Sequence, residues 1–230
     1  MREPTVSLSG IPPAGSGRFH GEAVQEPLWV RSLQRLISAR DRFTENPYND
    51  VAEPMRHYLA VMSLWAMGVG TILAGHEKFL AKLLLEPAWK PVYGNPEPQP
   101  AVRCLNPSRR VIADDRAPGG AVWTYPQSHH IRAASRDALR ELEPDDAAYQ
   151  SACDRLECLA SLVSMDWRDF RRQPWRGEWL LEERRSVAAR VAQELAPGWP
   201  LLEGGAFGGD LARAEAARDE LQAWMRDQPM

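Results

Sequence analysis

Cysteine is scarce and poorly spaced for chemistry. There are three in 230 residues, Cys104, Cys153 and Cys158, an odd number without a CxxC pair. This excludes a disulfide scaffold and fits a reducing compartment, where thiols behave as small hydrophobes. Cys153 and Cys158 are five apart on an expected helix, about 140° apart around its axis, so they read as core thiols and not as converging zinc ligands. Lysine is nearly missing too. Arg supplies 25 of the 28 basic residues, a skew that genomic base composition produces without any functional demand. Neither sign of charge is in excess: 28 basic residues against 31 acidic give −3, which excludes a global attraction to nucleic acid or anionic membrane. The first residues, Met1 to Ser7, lack a charged head followed by an apolar run and do not read as a secretory signal.

Long hydrophobic runs reduce to one. Tyr58 to Gly75 carries eighteen residues without a charge, at the short limit for a membrane span of about 20 apolar residues. It contains Ser63, Gly68, Gly70 and Thr71 and places Trp65 inside instead of at an interface. The run therefore reads as the central buried helix of a bundle, and membrane contact is not expected.

Catalytic signatures are missing as well. No G-x-S-x-G elbow is present. His76-Glu77 opens like HExxH, but Leu80 takes the second histidine position. Gly68-x-Gly70 follows no strand and reads as close helix packing. Gly204 to Gly209 precedes Asp210 as a phosphate loop precedes its helix, yet lacks the Lys-Ser/Thr pair and reads as a flexible hinge. No cofactor and no metal is expected.

What is present is ordinary globular composition, 44% hydrophobic and 26% charged, enough for a core without disulfides or metal. Residues 1–25, rich in Gly and Pro, read as a flexible N-terminal arm pinned by Phe19 at most. Residues 26–230 read as a single helical domain. Its first helix opens at Pro27 and runs to about Phe43. Asp50 starts a long helix through Leu85, bent near Gly68, Gly70 or Gly75. Five prolines between positions 87 and 100 form a polyproline-type connector that no helix or central strand is expected to survive. Two β-prone runs around Pro118-Gly119-Gly120 predict a β-hairpin near 109–125. Helices follow over Ser128–Leu142, from Asp145-Asp146 toward Pro174, over Glu178–Leu195, and after the N-cap Asp210. The fold class is thus mainly α, a bundle of about six helices with a small β-hairpin insertion.

The most distinctive segment is 167–179, with Trp167, Arg168, Arg171, Arg172, Trp175, Arg176 and Trp179. Trp and Arg dominate protein-interface hot spots, and also stack on bases and contact phosphates. Equally, the rings fill a helix–loop–helix corner and the Arg stems cover them. Three functional readings follow. In the first, a cytoplasmic, non-enzymatic binding protein presents a helical surface to a protein partner, as an adaptor or as a subunit of a larger bacterial assembly. The alternative is nucleic-acid binding through the same segment. The third is an enzyme using Glu77, Cys104, His129 or His130.

Glu77-Lys-Phe-Leu-Ala-Lys-Leu-Leu-Leu85, then Ser128-His129-His130-Ile131 and a later amphipathic helix, resembles the HEPN helical-bundle family of prokaryotic defence and toxin systems. The resemblance implies a helical bundle. The family's ribonucleases place His four to six residues after an Arg; no Arg here stands in that relation to a His, so the nuclease activity is not implied.

Overall fold

The computed structural model describes residues 22–39, 52–90, 97–107, 122–167 and 174–227. It is mainly helical with one small two-stranded antiparallel sheet. In chain order the elements are α1 (Glu22–Ala39), α2 (Ala52–Leu73), α3 (Glu77–Leu85), β1 (Ala88–Trp89), β2 (Gln99–Pro100), α4 (Ala101–Cys104), α5 (Pro126–Leu139), α6 (Asp146–Met165), α7 (Ser186–Glu194), α8 (Pro200–Glu203) and α9 (Leu211–Arg226). Short 3-10 turns occupy Glu178–Leu180, Glu182–Arg184 and Ala206–Gly209.

The uncharged run forms the spine. Ala60, Val61, Leu64, Trp65 and Val69 of α2 are buried, and α2 packs on α1, α3, α5 and α6. Gly68 permits the closest approach: a Cβ there would lie 2.7 Å from Leu156 Cδ1 of α6. The expected close helix packing is therefore present at Gly68. No helix among the described residues is long and apolar enough to cross a membrane. The second central helix, α6, is buried along almost its whole length and also receives α7 and α9. Its N-cap is Asp145, which accepts from the Ala147 amide at 2.9 Å, and Asp210 caps α9 through Ala212 at 2.8 Å.

Several boundaries differ from expectation. Helix α1 starts at Glu22, inside the expected arm, with Pro27 within it; residues 1–21 lie outside the described ones. The long helix breaks at Gly75, whose φ of 75° suits glycine. Helix α6 stops at Met165, and the stretch from Glu178 first makes two 3-10 turns before α7. Most of the hairpin expected near 109–125 falls outside the described residues. The observed strand pair lies instead across the connector, with Ala88 opposite Pro100 and Trp89 opposite Gln99. Pro100 sits at a strand end, where its missing N–H costs nothing. The Gln34 side chain supports the free edge of β1, donating to Ala88 O at 2.8 Å and accepting from Ala88 N at 2.7 Å.

The glycine segment after α8 is a packed corner and not a hinge. Phe207 is buried, and its ring lies near-parallel to Trp199 at 6.3 Å. Gly205, Gly208 and Gly209 all take positive φ. Gly204 lets the end of α8 touch α3, since a Cβ there would meet Lys78 O at 2.3 Å. Gly204→Ala is expected to cost about 1–3 kcal/mol in urea unfolding, because backbone cannot yield as a side chain can. Gly70→Ala, whose Cβ would meet only Leu142 at 3.6 Å, should be neutral or gain up to about 1 kcal/mol from helix propensity.

Candidate functional site

Two polar stripes at helical spacing face each other across the second half of the fold. On α5 the stripe is Ser128, Arg132 and Ser135; on α6 it is Gln150, Asp154, Glu157 and Ser161. All but Gln150 are buried, so their polar atoms depend on partners within the protein; Arg132 Nε has none among the described residues.

Arg132 is the centre. Its side chain is 3% exposed and its Nη2 faces Glu157 Oε2 and, at 2.7 Å, Asp154 Oδ1. Nη1 donates to Gln150 Oε1 at 3.0 Å and lies 3.6 Å from Glu178 Oε2. Arg184 completes the cluster from the 3-10 turn, with Nη1 at 3.3 Å from both Asp154 Oδ1 and Glu178 Oε2. Glu157 also accepts from Ser128 Oγ and, at 3.4 Å, from the Trp179 amide. Ser128 Oγ in turn accepts from the Glu178 amide at 3.2 Å. Gly177 is required by this closeness, because a Cβ there would lie 2.2 Å from Glu157 Oε1.

Burial alone disfavours the Arg132 cation, but Glu157, Asp154, Cys153 and Glu178 more than reverse it and hold the guanidinium above its ordinary value. Burial pushes the Glu157 carboxyl up, against the pull of Arg132. The same burial raises the Cys153 and Cys158 thiols to about 12, which makes them poor nucleophiles.

Arg132, Gln150, Glu178 and Arg184 of this cluster line a cleft of about 740 Å³. Trp123 and Tyr125 wall one side, and Arg136, Arg140 and Glu183 lie along the other parts of its lining. The Trp123 ring stacks on His129 at 3.6 Å and 18°, and His129 Nδ1 donates to Glu178 Oε1 at 3.0 Å. Arg136 ties down the loop after α5, donating to Glu143 O at 2.7 Å, Pro144 O at 3.0 Å and Asp146 Oδ1 at 2.6 Å. A second cavity of about 370 Å³, between α1, α2, α3 and the end of α5, has mostly apolar walls, including Trp29, Met67, Phe79 and Leu142.

Of the segment 167–179, residues 167 and 174–179 are described. Trp175 and Trp179 are 1% and 0% exposed. Their indole N–H groups donate to Val102 O at 2.7 Å and Trp175 O at 3.1 Å. They are core residues, which corrects their reading as a contact or stacking surface. Trp167 is half-buried, and Arg168, Arg171 and Arg172 lie outside the described residues. Arg176 is exposed and sits over Trp224 at 5.6 Å.

The enzyme candidates are likewise dispersed over different partners. Cys104 is fully buried, Glu77 pairs with Arg155, and His130 Nε2 lies 2.8 Å from Tyr58 Oη. His129 alone lines the cleft. Among the described residues no group of three or more His, Cys, Asp or Glu could hold a metal ion.

No family model matches the chain, and no curated protein or solved structure is significantly similar to it.

Arg132→Ala should destabilise the protein by about 3–5 kcal/mol in chemical unfolding, since it leaves buried carboxylates uncompensated. Arg140→Ala, at a side chain 64% exposed, should stay within about 0.5 kcal/mol. The thiols supply a pH test. Above pH 9 the unfolded chain releases protons that the folded one keeps up to about 12. Stability is therefore complete below pH 9 and falls as pH rises, by about 1.4 kcal/mol per pH unit per thiol. Unfolding midpoints at pH 8, 9 and 10 should show this fall, and a Cys153→Ala/Cys158→Ala variant should flatten it.

Proposed function

We propose that the chain is a non-enzymatic binding protein that works in the cytoplasm and engages a protein partner through the cleft between α5, α6 and the 178–184 turns. The observation that carries this reading is the internal pairing of the charged groups on the cleft floor. Arg132, Arg184 and Glu178, which line the cleft, are held by one another and by the buried Asp154 and Glu157, which gives a recognition surface fixed before a partner arrives. A preorganised surface loses less entropy on association than one that must order itself.

The lining supports a protein partner in particular. Trp123, Tyr125 and four arginines belong to the residue types that dominate interface hot spots. Val122 adds an exposed apolar contact at the rim, 71% accessible.

The test fills the cleft without touching its floor. Ala133 is exposed and lines the cleft, so Ala133→Arg should leave the melting temperature unchanged. Affinity-tagged wild type and variant, purified from the source cells, are compared by quantitative mass spectrometry. Partner recovery should fall about tenfold or more in the variant. Equal recovery counts against the cleft, and recovery abolished by nuclease in the wild type favours the nucleic-acid alternative.

A further inference from the structure

The cleft contains an arginine whose side-on hydrogen-bonding edge has no partner among the described residues. A guanidinium offers two forks, the paired Nη1/Nη2 end and the side-on Nε/Nη2 edge, and either matches the two oxygens of a carboxylate or phosphate. In Arg184 the contacts to Gln150, Asp154 and Glu178 are made by Nη1, at 3.2, 3.3 and 3.3 Å. Nε and Nη2 make no hydrogen bond or ion pair among the described residues. The side chain is 28% exposed and lines the cleft. By contrast, Arg213 and Arg155 each use the same side-on edge, closing it on Asp166 and Glu77.

We propose that the side-on edge of Arg184 is a receptor for an oxyanion, a carboxylate or phosphate group carried by the partner; this rests on the cleft being the binding site.

The surroundings favour an acceptor over a donor. Glu178 turns one oxygen to His129 and the other to the two guanidiniums. Asp154 and Glu157 do not line the cleft: Glu157 pairs with Arg132, and Asp154 with Arg132 and with Arg184 Nη1. Gln150 gives its carbonyl oxygen to Arg132 and Arg184, so its side-chain NH2 remains as a second donor at the cleft. Arg140, 64% exposed, adds positive charge at the lining. The opposing groups are Glu183, an exposed carboxylate, and Asp146, which is 82% exposed and pairs with Arg136; both line the cleft. They repel an anion and so weaken the site without blocking it. The three pairings of Nη1 serve the ligand too, because they fix the guanidinium plane and spare an incoming oxyanion the entropy of ordering it.

The experiment uses the full 15N-labelled chain and follows the Arg184 Nε–Hε resonance while inorganic phosphate, sodium acetate or tetramethylammonium chloride is added at constant ionic strength. A saturating shift with phosphate, acetate or both supports the proposal. Phosphate alone identifies a phosphoryl group as the source, and acetate alone a carboxylate. Two variants sharpen the result. Arg184→Lys keeps a cation beside Asp154 and Glu178 but loses the fork, and should weaken anion binding about tenfold or more. Glu183→Gln leaves every Arg184 contact in place and should tighten it severalfold. Anion binding unchanged in Arg184→Lys, or a response to tetramethylammonium alone, overturns the oxyanion receptor. So does no response to any probe. In each of these cases an Ala133→Arg variant that still loses partner leaves the cleft reading intact, whereas one that retains partner removes both.

Discussion

One buried cation organises the second half of this molecule. Arg132 is nearly inaccessible, and an isolated guanidinium at such a site would cost many kcal/mol to desolvate. It persists because two elements bring three carboxylates to it: α6 supplies Asp154 and Glu157, and the 178–180 turn supplies Glu178. The cost of the charge therefore becomes a constraint on geometry. If α6 slides, or the turn lifts, the cation loses its counter-ions. A dry leucine in place of Arg132 would contribute packing but would say nothing about where the 178–184 turns must sit.

The cleft follows from that constraint. Glu178 is fixed by Arg132, Arg184, His129 and, through its amide, Ser128. Its backbone can come this close only because Gly177 has no side chain to collide with Glu157. With the turn held, Arg184 is aimed at the cluster and His129 is held by Glu178 while Trp123 stacks on its ring. Polar groups that would otherwise fluctuate at a surface are thus part of a network reaching into the core, where a lower dielectric strengthens each bond. A site of this kind suits recognition by shape and hydrogen bonding.

Much of the fold was legible in the sequence because burial of apolar residues sets helix period directly. The uncharged run after Tyr58 and the caps at Asp145 and Asp210 all report local physics. The 3-10 turns at 178–184 were not legible. Leu180, Val187 and Val191 have helical spacing, and what prevents a continuous helix is the tertiary demand that Glu178 meet Arg132. The hinge reading of 204–209 failed for a related reason. Glycine content signals conformational freedom, but here the freedom is used to admit a backbone contact at Lys78 and to turn the chain around buried Phe207.

The apolar stripe of α6 is the stronger signal in the sequence and masks the polar one beside it. Tyr149, Ala152, Leu156 and Leu159 account for one face of that helix, yet Gln150, Asp154, Glu157 and Ser161 recur at the same spacing on another. A polar stripe usually means a solvated face. What separates the two cases is the neighbouring helix: Ser128, Arg132 and Ser135 repeat the pattern on α5, and two complementary polar stripes on adjacent helices can bury each other. The tryptophans of 167–179 carry the converse lesson. An indole joins the core when its one N–H finds a backbone acceptor, as Trp175 finds Val102 and Trp179 finds Trp175. Residue type alone overestimates the surface role of such rings. A helix with two populated faces, one apolar and one charged with complementary partners nearby, is the pattern from which a buried network and its overlying cleft can be inferred.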